Sequence, residues 1–184
     1  MKKLLIILLL FFPVHGVWAE VIEEKQPEEI IELFGIKFGE KCIDSTSDKY
    51  RTKGKVPNKL FKEHIVYCTS ITKRVWKIST NNFFESEKLN EFIMCRNSLR
   101  ALEKHFSEKY GVKLNITTDR DYEYKVQSND TNDMHNKVEM MCTRIGTGKK
   151  FSSVDLRLIV TNLKMISEKK KEDLQISIID KKGI

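Results

Sequence analysis

The sequence predicts an α+β fold: an antiparallel sheet of four to six strands with one main helix packed on one face. Three observations carry this expectation. Between residues 86 and 110 apolar side chains recur every three or four positions, at Leu89, Phe92, Cys95, Leu99, Leu102, Phe106 and Tyr110, which makes one continuous stripe on a helix. Other segments alternate apolar and polar residues with a period of two, the mark of half-buried strands. Two pairs of these segments meet across short turns, at Ser70–Lys73 and at Gly146–Lys150, as antiparallel neighbours do.

Taken in order, PEEIIEL at 27–33 suits a short helix, with Pro27 in the first turn and acids facing the positive helix end. Phe34, Ile36 and Phe38 then share one face of a strand, with Gly35, Lys37 and Gly39 on the other. Residues 43–62 are polar, contain Gly54 and Pro57, show no period and read as a loop. HIVYCTS and RVWKIST form a hairpin rich in β-branched and aromatic residues. The main helix follows, with Ser86 as N-cap and Gly111 placed to end it in a left-handed conformation. VKLNI and YEYKV give strands, residues 128–136 a polar loop, and the segments around 138–142 and 154–161 two more half-buried strands. The tail from 163 to 184 reads as a charged, partly frayed helix with a weak face of Leu163, Ile166, Leu174 and Ile178.

The first nineteen residues read as a secretory signal. Lys2 and Lys3 precede the apolar run LLIILLLFF, Pro13 ends it, and Val17-Trp18-Ala19 offers a cleavage site. Removing these 19 of 184 residues leaves 165, one exported domain with a charged C-terminal tail. The formal charge of +7 falls to +5 without the two signal lysines, mildly basic and short of a nucleic-acid binder. No later run is apolar enough to span a bilayer, so the expected location is periplasmic or secreted. Cys42, Cys68, Cys95 and Cys142 lack the close spacing of a zinc site and, in an oxidising compartment, imply two disulfides. Three connectivities are open; a helix lying on a sheet favours Cys42–Cys68 with Cys95–Cys142.

Signatures of chemistry are sparse. Gly146-Thr147-Gly148-Lys149-Lys150 looks at first like a phosphate loop. That motif needs glycine at 143 and Ser or Thr at 150, where Thr143 and Lys150 stand, and it needs a helix next rather than an alternating strand. It reads as a hairpin turn. Asp130 and Asn132 match part of a calcium loop, but Met134 stands where a ligand belongs and the glycine is missing. His64, His105 and His135 have no catalytic partners in sequence, and none of the hydrolase motifs is present. No cofactor, metal or catalytic residue is assigned. Asp119, Asp121 and Glu123 stand close together, and a carboxylate pair is what glycan hydrolysis uses. Charges alternating around Arg120 are more simply a solvated turn.

The unusual feature is a basic run. Lys49, Arg51, Lys53, Lys55, Lys59 and Lys62 lie within fourteen residues with no acid between them, accompanied by Tyr50, Leu60 and Phe61. Such a run suits docking to an acidic protein or an anionic envelope component; the simpler reading is a flexible solvated loop, which is what charge runs usually are.

FGIKFG at 34–39, the pair IVYCTSITKRVWKIST at 65–80 and a helix closing in EKYG at 108–111 give the chain a resemblance to other proteins. It resembles a loose group of small exported bacterial proteins of unknown function over residues 33–165. The resemblance implies a bacterial exported domain and brings no active-site residues. The expected function is a non-enzymatic binding or interaction domain of the envelope, such as an inhibitor, an immunity protein or an assembly factor. A secreted effector acting on a host surface and a carboxylate-dependent envelope hydrolase are the alternatives.

Overall fold

The computed structural model describes residues 28–43, 46–54, 59–61, 63–85, 90–129, 135–147 and 150–182. The stretch read as a signal, its expected cleavage at Ala19, the expected N-cap Ser86, the calcium-like stretch 130–134 and the turn residues Gly148 and Lys149 lie outside these.

Among the described residues nine strands and two helices follow one another: β1 (Glu32–Leu33), β2 (Ile36–Lys37), β3 (Lys49–Thr52), β4 (Glu63–Cys68), β5 (Val75–Glu85), α1 (Asn90–Tyr110), β6 (Leu114–Arg120), β7 (Glu123–Ser128), β8 (Asn136–Thr147), β9 (Lys150–Asn162) and α2 (Leu163–Lys182). β1 and β2 form a two-stranded hairpin, and the other seven strands form one sheet in the order β3-β4-β5-β9-β8-β7-β6. Every pairing in it is antiparallel. The α+β reading with a helix on the sheet therefore holds, with seven strands in the main sheet rather than four to six.

The period of two sorts the sheet's side chains onto two faces. Val66 of β4 lies opposite Ile78 of β5, which lies opposite Val160 of β9 and, across it, Val138 of β8; all four are buried. This inner face carries the core. α1 lies over β8 and β9 and buries Phe92, Cys95, Leu99 and Phe106 against it, the stripe expected from the sequence. Cys95 bonds Cys142 of β8, and Cys42 bonds Cys68 at the end of β4. α1 stops at Gly111, whose φ is 65°, with its N–H donating to the Ser107 carbonyl.

Three local expectations differ. PEEIIEL is irregular rather than helical from Glu28 to Ile31 and then enters β1. The Ile30 N–H donates to Asn136 Oδ1 at 2.7 Å and Asn136 Nδ2 donates to the Ile30 carbonyl at 3.2 Å, so a buried amide replaces the helix's own hydrogen bonds. FGIKFG is not one strand. The chain reverses at Phe34 (φ 55°) and Gly35 (φ 77°), the positive pair that a two-residue type I′ turn demands. Finally, the stretch taken as a loop contains β3, in which Tyr50 and Thr52 are half-buried while Lys49 and Arg51 are exposed. A four-residue strand with lysine and arginine at its outward positions offers too little apolar signal to be read from sequence.

The glycine-lysine stretch joins β8 to β9, with Thr147 opposite Lys150, and a thirteen-residue strand follows it where a phosphate loop needs a helix. β9 runs without a loop into α2, whose Met165 N–H donates to Asn162 Oδ1 at 3.0 Å, a buried N-cap. α2 crosses to the β4–β5 turn. There Glu172 accepts from the N–H of Ile71 at 2.6 Å and from Thr72 Oγ1 at 2.6 Å, and Ser70 Oγ donates to Asp173. Of the apolar face expected of the tail, Leu163 packs on the core and Ile166 is half-buried, whereas Leu174 and Ile178 are exposed; Met165 and Glu172, not in that face, are buried.

Candidate functional site

The candidate site lies on the outer face at the β3 edge of the sheet. β3 is the terminal strand, and its pairing sets Lys49 opposite Tyr67 and Arg51 opposite Ile65 of β4. Ile65 in turn lies opposite Ser79 of β5, so Lys49 and Arg51 share a face with Tyr67, Ile65 and β5 side chains. Tyr50 points the other way, into the core cluster, and so anchors the strand. Burial raises its phenol pKa, partly opposed by a hydrogen bond with the Ile43 backbone, and the charge of Glu40 adds to the rise.

Arg51 stands between two shallow clefts. One, of about 260 Å³, is lined by Lys49, Tyr50, Arg51, Ile65 and Tyr67. The other, of about 390 Å³, is lined by Arg51, Glu63, Ile65, Asn81, Asn82 and Phe83. The guanidinium lies 3.9 Å from the Glu63 carboxylate, and both side chains are mostly in water. A pair so loose and solvated contributes little, leaving the arginine available to a ligand. Phe83, 52% exposed, gives the second cleft an apolar wall. Further along the same face Lys77 Nζ lies 3.9 Å from the centroid of the Tyr67 ring. Burial lowers the Lys77 pKa, the charge of Glu139 opposes this and that of Lys169 reinforces it.

Of the six basic residues singled out in the sequence, the structure brings Lys49 and Arg51 together on one face. Lys53 follows directly on β3 and is exposed, Lys59 is exposed two residues before buried Phe61, and Lys55 and Lys62 lie outside the described residues. Sequence reasoning missed Tyr67, Ile65, Asn81 and Phe83 as neighbours of the basic run. The period of two in HIVYCTS placed Ile65 and Tyr67 on one face, but which strand borders them is a tertiary fact.

Of the carboxylates at the β6–β7 turn, Asp119 and Glu123 stand on opposite faces of the sheet. Asp119 lies opposite Tyr124, whose side chain is in the core, and binds Arg96 of α1 at 3.1 Å. Glu123 lies opposite Arg120 on the other face, and Asp121 sits in the turn between. Among the described residues no group of histidine, cysteine or acidic side chains is arranged to hold a metal.

The histidines divide sharply. His105 and His135 are exposed. His64 is fully buried on the inner face, opposite Thr80, and neither ring nitrogen makes a hydrogen bond. A buried polar N–H left unmet costs about 1–3 kcal/mol. Its ring stacks on Phe34 with centroids 4.4 Å apart and planes 12° from parallel. Burial lowers its pKa, with the Lys53 backbone carbonyl near enough to offset part of the effect.

Comparison with protein-family models, with curated proteins and with solved structures finds no match to this chain. The two disulfides and the lack, among the described residues, of a helix long and apolar enough to cross a membrane are compatible with a periplasmic or secreted protein.

Proposed function

We propose that the protein is a non-enzymatic interaction domain of the exported space, whose β3 face docks an acidic surface of a partner protein. The observation that supports it is the position of Arg51, exposed on an edge strand next to Lys49 and flanked by clefts that carry Ile65, Tyr67 and Phe83. Interfaces favour this mixture, in which arginine and aromatic side chains supply the anchor and surrounding charge steers the encounter. Inhibitors, immunity proteins and assembly factors all work by such docking.

The test uses acidic polyglutamate as a probe of the face and captured envelope proteins as the natural pool. The variant Lys49→Glu/Arg51→Glu is expected to weaken polyglutamate binding about tenfold near 0.1 M salt, where the Debye length is about 10 Å. It is expected to release the same envelope proteins that the native chain retains. Equal retention by both chains, or binding that ignores salt, would reject the docking face.

A further inference from the structure

His64 joins three features that separately invite explanation. Its ring is fully buried with neither nitrogen hydrogen-bonded. One ring face rests on Phe34, a non-glycine residue held at φ 55° in the β1–β2 turn. The backbone of Gly54 (φ 75°) lies against it as well: a Cβ at Gly54 would stand 3.0 Å from His64 Nε2 and 2.9 Å from the Phe34 carbonyl oxygen. The imidazole therefore touches two segments that have left the sheet's regular geometry, the hairpin turn and the step after β3. Strain gathered around an orphaned titratable group is a mark of a switch.

The segment carrying that turn is tethered at both ends. Ile30 is held by the paired hydrogen bonds of Asn136, and Cys42 is held covalently to Cys68. Between these anchors the hairpin is seated by buried Leu33 and Ile36 and by the Gly39 N–H, which donates to the Val75 carbonyl. We propose that His64 is the acid-sensitive latch of this hairpin: proton uptake by the ring unseats the Phe34 turn and the Lys53–Gly54 step, and loss of the proton reseats them.

The sign follows from the site. The neutral ring suits an apolar pocket, whereas the imidazolium brings a charge and a second N–H donor into a buried site where the Lys53 backbone carbonyl offsets only part of the cost. Burial lowers the pKa of the closed form below the ordinary 6.5. As pH falls through about 6.5 the opened form binds the proton first, so the closed form loses its advantage progressively until its own lower pKa is passed. No nearby charge opposes this. The charged residues on the surrounding elements are Glu32 and Lys37 of the hairpin, Lys49, Arg51 and Lys53 on and after β3, Glu63 of β4 and Lys77 of β5. Arg51 and Glu63 pair with each other on the outer face, and none of these side chains shifts the His64 proton. Because Lys53 follows the basic strand, opening also displaces part of the proposed docking surface. That last consequence rests on the docking reading.

The experiment follows amide exchange and the histidine ring signals of the oxidised chain between pH 7.5 and 5.0, above the range where carboxylates titrate. The Phe38 N–H, which donates to the Ile31 carbonyl across the hairpin, and the Gly39 N–H, which donates to Val75, report the closed state. After correction for intrinsic rates, their protection is expected to fall progressively below the opened form's pKa, by up to about tenfold per pH unit, while that of core Val138 and Leu158 holds. In the His64→Leu variant hairpin protection is expected to stay flat with pH. Should that variant fail to fold, the native chain decides alone: a His64 ring titrating near 6.5 with unchanged hairpin protection overturns the latch. Polyglutamate binding measured across the same range separates the two proposals, since binding lost at every pH sinks the docking face and leaves the exchange data to judge the latch.

Discussion

The two helices are held by opposite means. α1 buries Phe92, Cys95, Leu99 and Phe106 over four turns and is bonded to β8 through Cys95–Cys142. α2 is held near its start by Asn162 and Met165 and then at one polar point, where Glu172 accepts hydrogen bonds from Ile71 and Thr72 of a turn 100 residues earlier. Beyond that clamp, Leu174, Ile176, Ile178 and Ile179 are all exposed. Apolar burial accumulates turn by turn and fixes a whole helix face, whereas a hydrogen-bonded carboxylate fixes one place and leaves the rest of the helix in water. The clamp also has a proton dependence that the apolar stripe lacks. Burial acts to raise the Glu172 pKa, but hydrogen bonds from the Thr72 hydroxyl and the Ile71 and Thr72 N–H groups outweigh it, so the net shift is downward.

The contrast can be broken most strongly at α1. Replacing Cys95 and Cys142 by serine opens a link spanning 47 residues, which the chain-entropy account values at about 4 kcal/mol, and denaturant unfolding should show a loss of that order. Leu99→Ala is expected to cost about 2–5 kcal/mol by the same measurement, since Leu99 is completely buried and its removal leaves a cavity. A loss below about 1 kcal/mol at Leu99 would mean that α1 is not docked by its stripe.

At α2 the effects are smaller and local. Glu172→Gln should cost about 1–3 kcal/mol, read as faster amide exchange in α2 with α1 unchanged. Because the native Glu172 pKa is depressed, its contribution is complete above the unfolded value of 4.5 and is lost as pH falls through the lower native value. Acid should therefore loosen α2 in the native chain and have no such effect in the glutamine variant. Smallest of all is Leu174→Ser, expected within about 0.5 kcal/mol because the side chain is already 62% exposed. A larger cost would show that the distal half of α2 is covered in solution.

How much of this was legible differs from element to element. The α1 stripe and its Gly111 stop were readable because each depends on neighbours three or four residues away. The β4–β5 and β8–β9 hairpins were readable because alternation and a turn lie within one short window. β3 was not, since Lys49 and Arg51 mask the alternation of Tyr50 and Thr52. Lys49 and Arg51 stood out by charge alone, but their joint face and its bordering Tyr67 and Phe83 did not. His64 showed no catalytic partner in the sequence, and only the structure reveals that its ring is fully buried against Phe34.

By itself the sequence determined the α+β class, the main helix, most strands and a hairpin in place of a phosphate loop, because those follow from the local periods of side-chain burial. The tertiary structure alone decided that Asn136 unwinds the start of PEEIIEL, that Phe34 turns over His64, and that Glu172 captures α2. The partners in the Asn136 and Glu172 contacts stand 106 and 100 residues apart. Interactions across such distances exist only once the sheet has brought their ends together, so no window along the chain contains them.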